Sequence, residues 1–214
     1  MKKLNEVLAR RQQAERQERR DRILNAARKV FFKMGYLGAT IRDIALEAEL
    51  SPGLIYHYFK GKDAIYGSIC QEAFHVLLDM LNKAKDIPGP PNEKLINVAT
   101  AYVRFYSDYP EYFDIISFKE LGFKKVGLSD KIIRELEELS YQSLSVTNDI
   151  VCKEIEKGAV SGDVDAWKIT FALWAAIEGI IFIHKRGYLD TFGLDLEEVI
   201  DLPFRILLKG VREA

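Results

Sequence analysis

Apolar positions recur along this chain at intervals of three and four residues. No alternating apolar and polar run is long enough to argue for a sheet, so nearly the whole chain reads as helix. Ile23, Ala26, Ala27, Val30 and Phe31 share one face of a first helix over about Gln17 to Met34, which Gly35 ends as a C-terminal cap. Thr40 is a good N-cap for a second, short helix to about Glu49, with Asp43 at the capping-box spacing. Ser51 caps a third, Pro52 takes its favoured first position, and Gly61 closes it. A longer fourth helix starts near Lys62 and runs to about Lys85. The breaker IPGPPNE, Ile87 to Glu93, separates it from helices at about Glu93–Asp108 and Pro110–Leu121. After a loop through Gly122–Gly127, helices are expected at about Ser129–Lys157 (stopped by Gly158), Asp163–Arg186 and Asp195–Val211.

The most informative stretch is TIRDIALEAELSPGLIYHYFKGK, Thr40 to Lys62, two short helices joined by a tight turn. Ile44, Ala45, Ala48, Leu50 and Ile55 supply an apolar interface, with Ala45 allowing close approach. This is the pattern of a helix-turn-helix, which lays its second helix in a DNA major groove. Amides at helix N-termini attract phosphate, so Thr40 and Ser51 can cap and contact a backbone together. The hydroxyls of Tyr56 and Tyr58 can reach phosphates, and Lys62 adds a point charge. Gly53 lets the helix approach base edges closely. Pro52 and Leu54 offer apolar contact to thymine methyls, while Arg42 and His57 can donate to guanine acceptors.

Charge adds a direction to this reading. The net charge of −1 divides into +7 over residues 1–62 (14 Lys/Arg, 7 Asp/Glu) and −8 over residues 63–214 (17 and 25). A basic first part on an acidic remainder suggests that only the first part meets a polyanion, although mixed solvated faces give such an imbalance too. The basic start, with Arg10, Arg11, Arg16, Arg19, Arg20 and Arg22, is either a solvated helix extension or an arm reaching phosphates or a minor groove.

Several classes are disfavoured. Cys70 and Cys152 read as small core residues of a reducing cytosol, and His75 and His184 as surface or satisfied helix histidines, so no metal is expected. No phosphate-binding glycine loop or catalytic spacing points to an enzyme, and no cofactor is expected. With no uninterrupted apolar run of about 18 residues and no hydrophobic signal core, no membrane association is expected and the localisation is read as cytoplasmic.

The run Ser51, Gly53, Leu54, Ile55, Tyr56, His57, Tyr58, Phe59, Lys60, Gly61, Lys62, led in by a Thr40-capped helix, resembles the TetR family of bacterial repressors. The match is close over about Arg22 to Tyr66; Glu49 departs from it, standing where that family usually has a left-handed glycine. The resemblance implies phosphate contacts at Thr40, Tyr56, Tyr58 and Lys62. It implies base or near-base contacts at Arg42, Pro52, Gly53, Leu54 and His57, with Ile55 and Phe59 as core. The implied fold is all-α, with an N-terminal three-helix helix-turn-helix domain and a C-terminal helical ligand-binding and dimerisation domain. The expected parts are 1–21 (extension), 22–66 (DNA binding) and 67–214 (effector binding and dimerisation).

The last two helices, apolar beyond the needs of one domain face, look like that family's four-helix dimer interface. The implied partners are a double-stranded DNA operator, a second copy of the chain and a small-molecule effector, lipophilic or aromatic. An aromatic pocket is expected from Tyr102, Phe105, Tyr106, Tyr109, Tyr112, Phe113, Phe118, Trp174 and Glu178, although each aromatic could equally be core. The alternative is a helical ligand-binding or interaction protein that keeps the fold without specific DNA binding.

Overall fold

A computed structural model describes residues 2–117, 128–158 and 164–206, with side chains from Glu6 onward. Every regular element among them is helix: α1 (Lys2–Gly38), α2 (Ile41–Glu47), α3 (Pro52–Tyr58), α4 (Lys62–Asp86), α5 (Pro91–Asp108), α6 (Pro110–Ile116), α7 (Asp130–Glu156), α8 (Ala166–Lys185), α9 (Tyr188–Thr191) and α10 (Leu196–Ile200). The chain forms two compact units, Met1–Ala73 with Glu111–Glu137, and Phe74–Pro110 with Glu138–Ala214. The division falls inside α4, after the first residue of α6 and inside α7. The expected loop Gly122–Gly127 and the ends of the helices drawn to Leu121 and Val211 lie outside the described residues.

Four boundaries differ from the periodic reading, each for a local reason. α1 begins at Lys2 rather than near Gln17. Residues 6–19 are exposed and offer no apolar face, but Leu, Ala, Arg, Gln and Glu are strong helix formers and carry the helix outward. α3 ends at Tyr58 because Phe59 turns extended (φ −132°, ψ 134°) to bury its ring, so Phe59 and not Gly61 closes it. Gly187, at φ 74°, ends α8 in the left-handed region and allows the unexpected short α9. The expected last helix breaks at Asp201 and resumes at 202–206. Pro203 lacks an amide and its ring would clash with the Val199 carbonyl.

In the first unit, the predicted α1 face of Ile23, Ala26, Ala27, Val30 and Phe31 is buried, together with Ile44, Ile55, Ile65 and Ile69. Burying each of the large side chains is worth about 1.5–3 kcal/mol. Tyr66 is the centre of an aromatic trio, its ring 5.2 Å from Phe31 and 4.8 Å from Tyr36, both edge-on. Gly35 leaves the helical region (φ 70°, ψ 168°) and kinks α1, which runs on to Gly38 rather than ending at a left-handed glycine cap. Cys70 is buried and free, and burial pushes its thiol well up.

The second unit packs Leu95, Val98 and Phe105 of α5, Ile150 and Val151 of α7, and Leu173, Ile177 and Ile181 of α8, with Leu196, Ile200 and Phe204. The buried Thr170 hydroxyl is satisfied, its one proton shared between the Ala166 carbonyl (2.9 Å) and Asn148 Oδ1 (3.2 Å). Helix α8, with a mean hydropathy of 1.6 over its most apolar span, is long and apolar enough to cross a membrane by length and composition. Only 33% of that span is buried, and Phe171, Ala172, Ala175, Gly179 and Phe182 form an exposed stripe at helical spacing.

A close contact in the first unit is testable. A Cβ at Gly67 of α4 would lie 2.8 Å from Ile132 Cγ2 of α7, and a β-branched methyl cannot swing away cheaply. Gly67→Ala is expected to cost about 1–3 kcal/mol of stability, with a lower thermal midpoint, and Ile132→Ala in the same chain should recover part of that stability. An unchanged midpoint for Gly67→Ala would contradict the contact.

Candidate nucleic-acid interface

The helix-turn-helix is built from its caps. Thr40 is extended (φ −124°, ψ 161°), and its Oγ1 accepts from the Asp43 amide at 3.2 Å. The Asp43 carboxylate accepts in return from the Thr40 amide at 2.9 Å and the Thr40 hydroxyl at 2.6 Å. These bonds hold the Asp43 carboxyl below its ordinary value of 3.8. The turn closes through the Ala48 amide to Ile44 and the Leu50 amide to Ala45, both 2.9 Å.

Glu49 sits in that turn at φ 52°, the left-handed position the sequence suggests. Holding a non-glycine residue there costs about 1–2 kcal/mol. Its carboxylate meets Arg22 at 2.9 Å, an exposed pair worth under about 1 kcal/mol, so the turn is held by the packing beneath it.

On α3, Ser51 Oγ accepts from the Leu54 amide at 3.2 Å, and Pro52 starts the helix. Ile55 and Phe59 are buried. Their burial turns the remaining positions outward: Ser51, Pro52, Gly53, Tyr56 and His57 are exposed, and Leu54 and Tyr58 half-buried. Thr40 and Arg42 are exposed on the α2 side. A Cβ at Gly53 would meet nothing within 4 Å, so no internal packing asks for a glycine there.

Lys62 does more than the sequence suggests. Its ammonium donates to the carbonyls of Tyr36 (2.7 Å) and Ala39 (2.9 Å) and lies 4.2 Å from the centre of the Tyr36 ring. Tyr36 donates its hydroxyl to Asp63 at 2.6 Å. Two of the three ammonium donors thus tie the start of α4 to the segment between α1 and α2. The acceptors are backbone atoms 23 and 26 residues away, which no local pattern advertises.

Two arginines have roles that the sequence pattern does not announce. Arg20 lies 5.1 Å from the Phe59 ring centre and donates to Ser68 Oγ at 3.3 Å. Arg28 stacks 4.7 Å from the Tyr112 ring centre and pairs with Glu111 at 3.4 Å, while the Tyr112 hydroxyl donates to Glu72 at 3.2 Å. Tyr112 is thereby part of the first unit's polar network; burial, then the Glu72 charge, raises its pKa.

Of the expected effector residues, the second unit brings several together. The Tyr102 hydroxyl donates to Glu178, which Trp174 also hydrogen-bonds, and burial raises both acids' pKa values. Phe105 stacks on Tyr109 with ring centres 5.9 Å apart, and Tyr106 meets His184 edge-on at 6.0 Å. His184 departs from expectation, since its buried Nδ1 has no hydrogen-bond partner among the described residues. Phe113 belongs to the first unit, where it is buried, and Phe118 lies outside the described residues.

Residues 23–69 match the family of bacterial regulatory proteins, tetR family. Over 178 residues the chain is 31% identical to the HTH-type transcriptional repressor DhaR of Mycobacterium sp. (strain GP1), covering 81% of this chain and 87% of that one. The chain belongs to the TetR family.

A second relative of this TetR-family protein is the HTH-type transcriptional repressor NicS of Pseudomonas putida, 28% identical over 153 residues, 72% of this chain and 70% of the other. Its fold matches that of FadR from Bacillus subtilis, solved in complex with stearoyl-CoA, with a TM-score of 0.69 at 20% identity, covering 89% of this chain and 98% of FadR. The protein is a DNA-binding transcriptional regulator. Its family is not an enzyme class.

The capping box yields a pH test. A carboxyl whose folded pKa is depressed adds stability above its unfolded value and loses it as pH falls through the folded value. Asp43→Ala is therefore expected to unfold at a lower temperature than wild type near pH 7. The gap should close as pH falls below 3.8, the ordinary value of this carboxyl. Thermal melts across that range check it; a gap independent of pH would contradict it.

Proposed function

We propose that this TetR-family regulator is a repressor that binds a palindromic operator as a homodimer and is released by a small lipophilic or aromatic effector. The observation that carries the reading is the outward face of α3, which presents Ser51, Pro52, Gly53, Tyr56 and His57 to solvent while Ile55 and Phe59 anchor it. Thr40, Ser51, Tyr56, Tyr58 and Lys62 contact phosphates. Arg42, Pro52, Gly53, Leu54 and His57 meet base edges or thymine methyls. The protein acts where the DNA is, in the cytoplasm.

The exposed stripe of α8 supports the dimer. Phe171 and Phe182 flank Ala172, Ala175 and Gly179, small residues that let a second helix approach closely, and Leu202 and Ile206 are exposed as well. Pairing these faces with those of a second copy repeats the recognition helix about a two-fold axis. The operator then has half-sites about 34–36 Å apart, or a multiple of that.

Effector binding is placed in the second unit, near Tyr102, Phe105, Tyr106, Tyr109, Trp174 and Glu178. The Tyr102–Glu178–Trp174 hydrogen bonds and His184 Nδ1, without a partner among the described residues, give this aromatic region a few polar points, as ligand sites require. The stearoyl-CoA held by FadR supports a lipophilic ligand. The effector need only favour a spacing of the two recognition helices that misfits the operator, with α4 as the connecting element.

Selection of bound duplexes from a random pool tests the reading. Wild type is expected to enrich a palindrome, and Tyr56→Ala with Arg42→Ala to bind that duplex at least tenfold more weakly. Gly179→Arg should sediment at the 24.5 kDa chain mass rather than twice it and lose the palindrome preference. No enrichment by wild type would sink the DNA reading, and a wild type of single-chain mass would sink the dimer.

A further inference from the structure

The part of α1 that precedes the DNA-binding core is unbroken helix, so from Glu6 onward the direction in which each residue leaves the helix is fixed. From Lys2 to Arg20 it runs about 27 Å, at about 1.5 Å per residue. Residues 2–20 carry seven Lys/Arg against three Asp/Glu.

Two stripes of this helix face two different neighbours. Ala14, Gln17, Glu18, Asp21, Arg22 and Asn25 line a groove of about 740 Å³ on the α2 side, which Lys29, Glu47 and Ala48 complete. There Gln17 donates to Asp21 at 2.7 Å and Lys29 pairs with Glu47 at 3.2 Å.

Gln12, Glu15, Arg16 and Arg19, on one face of the helix, instead line a cleft of about 320 Å³ whose other wall is His57 and Tyr58 of α3. Arg16 and Arg19 are exposed, and neither forms an ion pair among the described residues. Arg20, one residue on, fixes the rotation of the helix through the Phe59 ring and Ser68 Oγ.

We infer that the N-terminal extension is a rigid helical arm that grips the DNA backbone beside the recognition helix, through Arg16 and Arg19. The inference rests on the proposed binding of DNA by α3. Because His57 and Tyr58 are two of the groups offered to the duplex, a cation sharing their cleft stands at the edge of the same surface. Phosphates there fit an exposed guanidinium, which presents several donors to an oxyanion at once. Glu15 in the same cleft opposes this, but two arginines outweigh it.

The test uses the full-length protein and the duplex that wild type enriches from a random pool, with affinity followed against salt. Removing one phosphate-binding cation lowers the slope of log K against log[salt] by about 0.9, so Arg16→Gln with Arg19→Gln should lower it by about 1.8 for each bound subunit. Arg16→Lys with Arg19→Lys, which keeps the charges, should hold the slope near wild type and serves as the control for folding. An unchanged slope in the glutamine variant, with duplex still bound, overturns the arm and leaves α3 as the reader. If wild type enriches no duplex, the DNA reading falls and the arm with it.

Discussion

An ammonium held between two carbonyls fixes the geometry of the DNA-binding part. Lys62 donates to Tyr36 and Ala39, the residues on either side of the bend between α1 and α2, and lies over the Tyr36 ring. Both carbonyls follow the kink at Gly35, and the ammonium is held there by its two hydrogen bonds and the Tyr36 ring. Tyr36 returns the tie through its hydroxyl to Asp63. The start of α4, the end of α1 and the entry to α2 are thereby one joint, and α3 is suspended between its two sides.

Given that joint, the outward chemistry of α3 follows from what must go inward. A helix of seven residues has room for about two buried anchors, and Ile55 takes one while Phe59, just past the end, takes the other. Everything else on the helix is then presented outside, and the residues there carry hydroxyls, an imidazole and a bare backbone. The left-handed Glu49 stores a little strain in the turn, and the surrounding core of Ile44, Ala45 and Ala48 maintains it.

What could be read from the sequence was what is local. Thr40 with Asp43 and Ser51 with Pro52 are complete within four residues, and the structure forms both caps as the pattern predicts. The buried stripe of α1 and the starts of α3 and α4 were legible for the same reason. The Lys62 joint and the Arg28–Tyr112 stack were not, since their partners lie tens of residues away and one of them offers only backbone. The arm was half legible: its charge was plain, but a period-based reading looks for an apolar stripe and begins the helix too late. Pro203 shows the opposite error, where apolar spacing was followed across a residue that cannot continue a helix.

The central claim is that Lys62 is a joint before it is a phosphate contact, and Lys62→Met separates the two. The variant keeps an unbranched stem but leaves two carbonyls without their donor, a cost of about 1–3 kcal/mol. Measured together, thermal midpoint and affinity for the duplex that wild type selects should both fall. An unchanged midpoint, with only the salt slope of binding reduced by about 0.9 per subunit, would make Lys62 a phosphate contact alone and contradict the account.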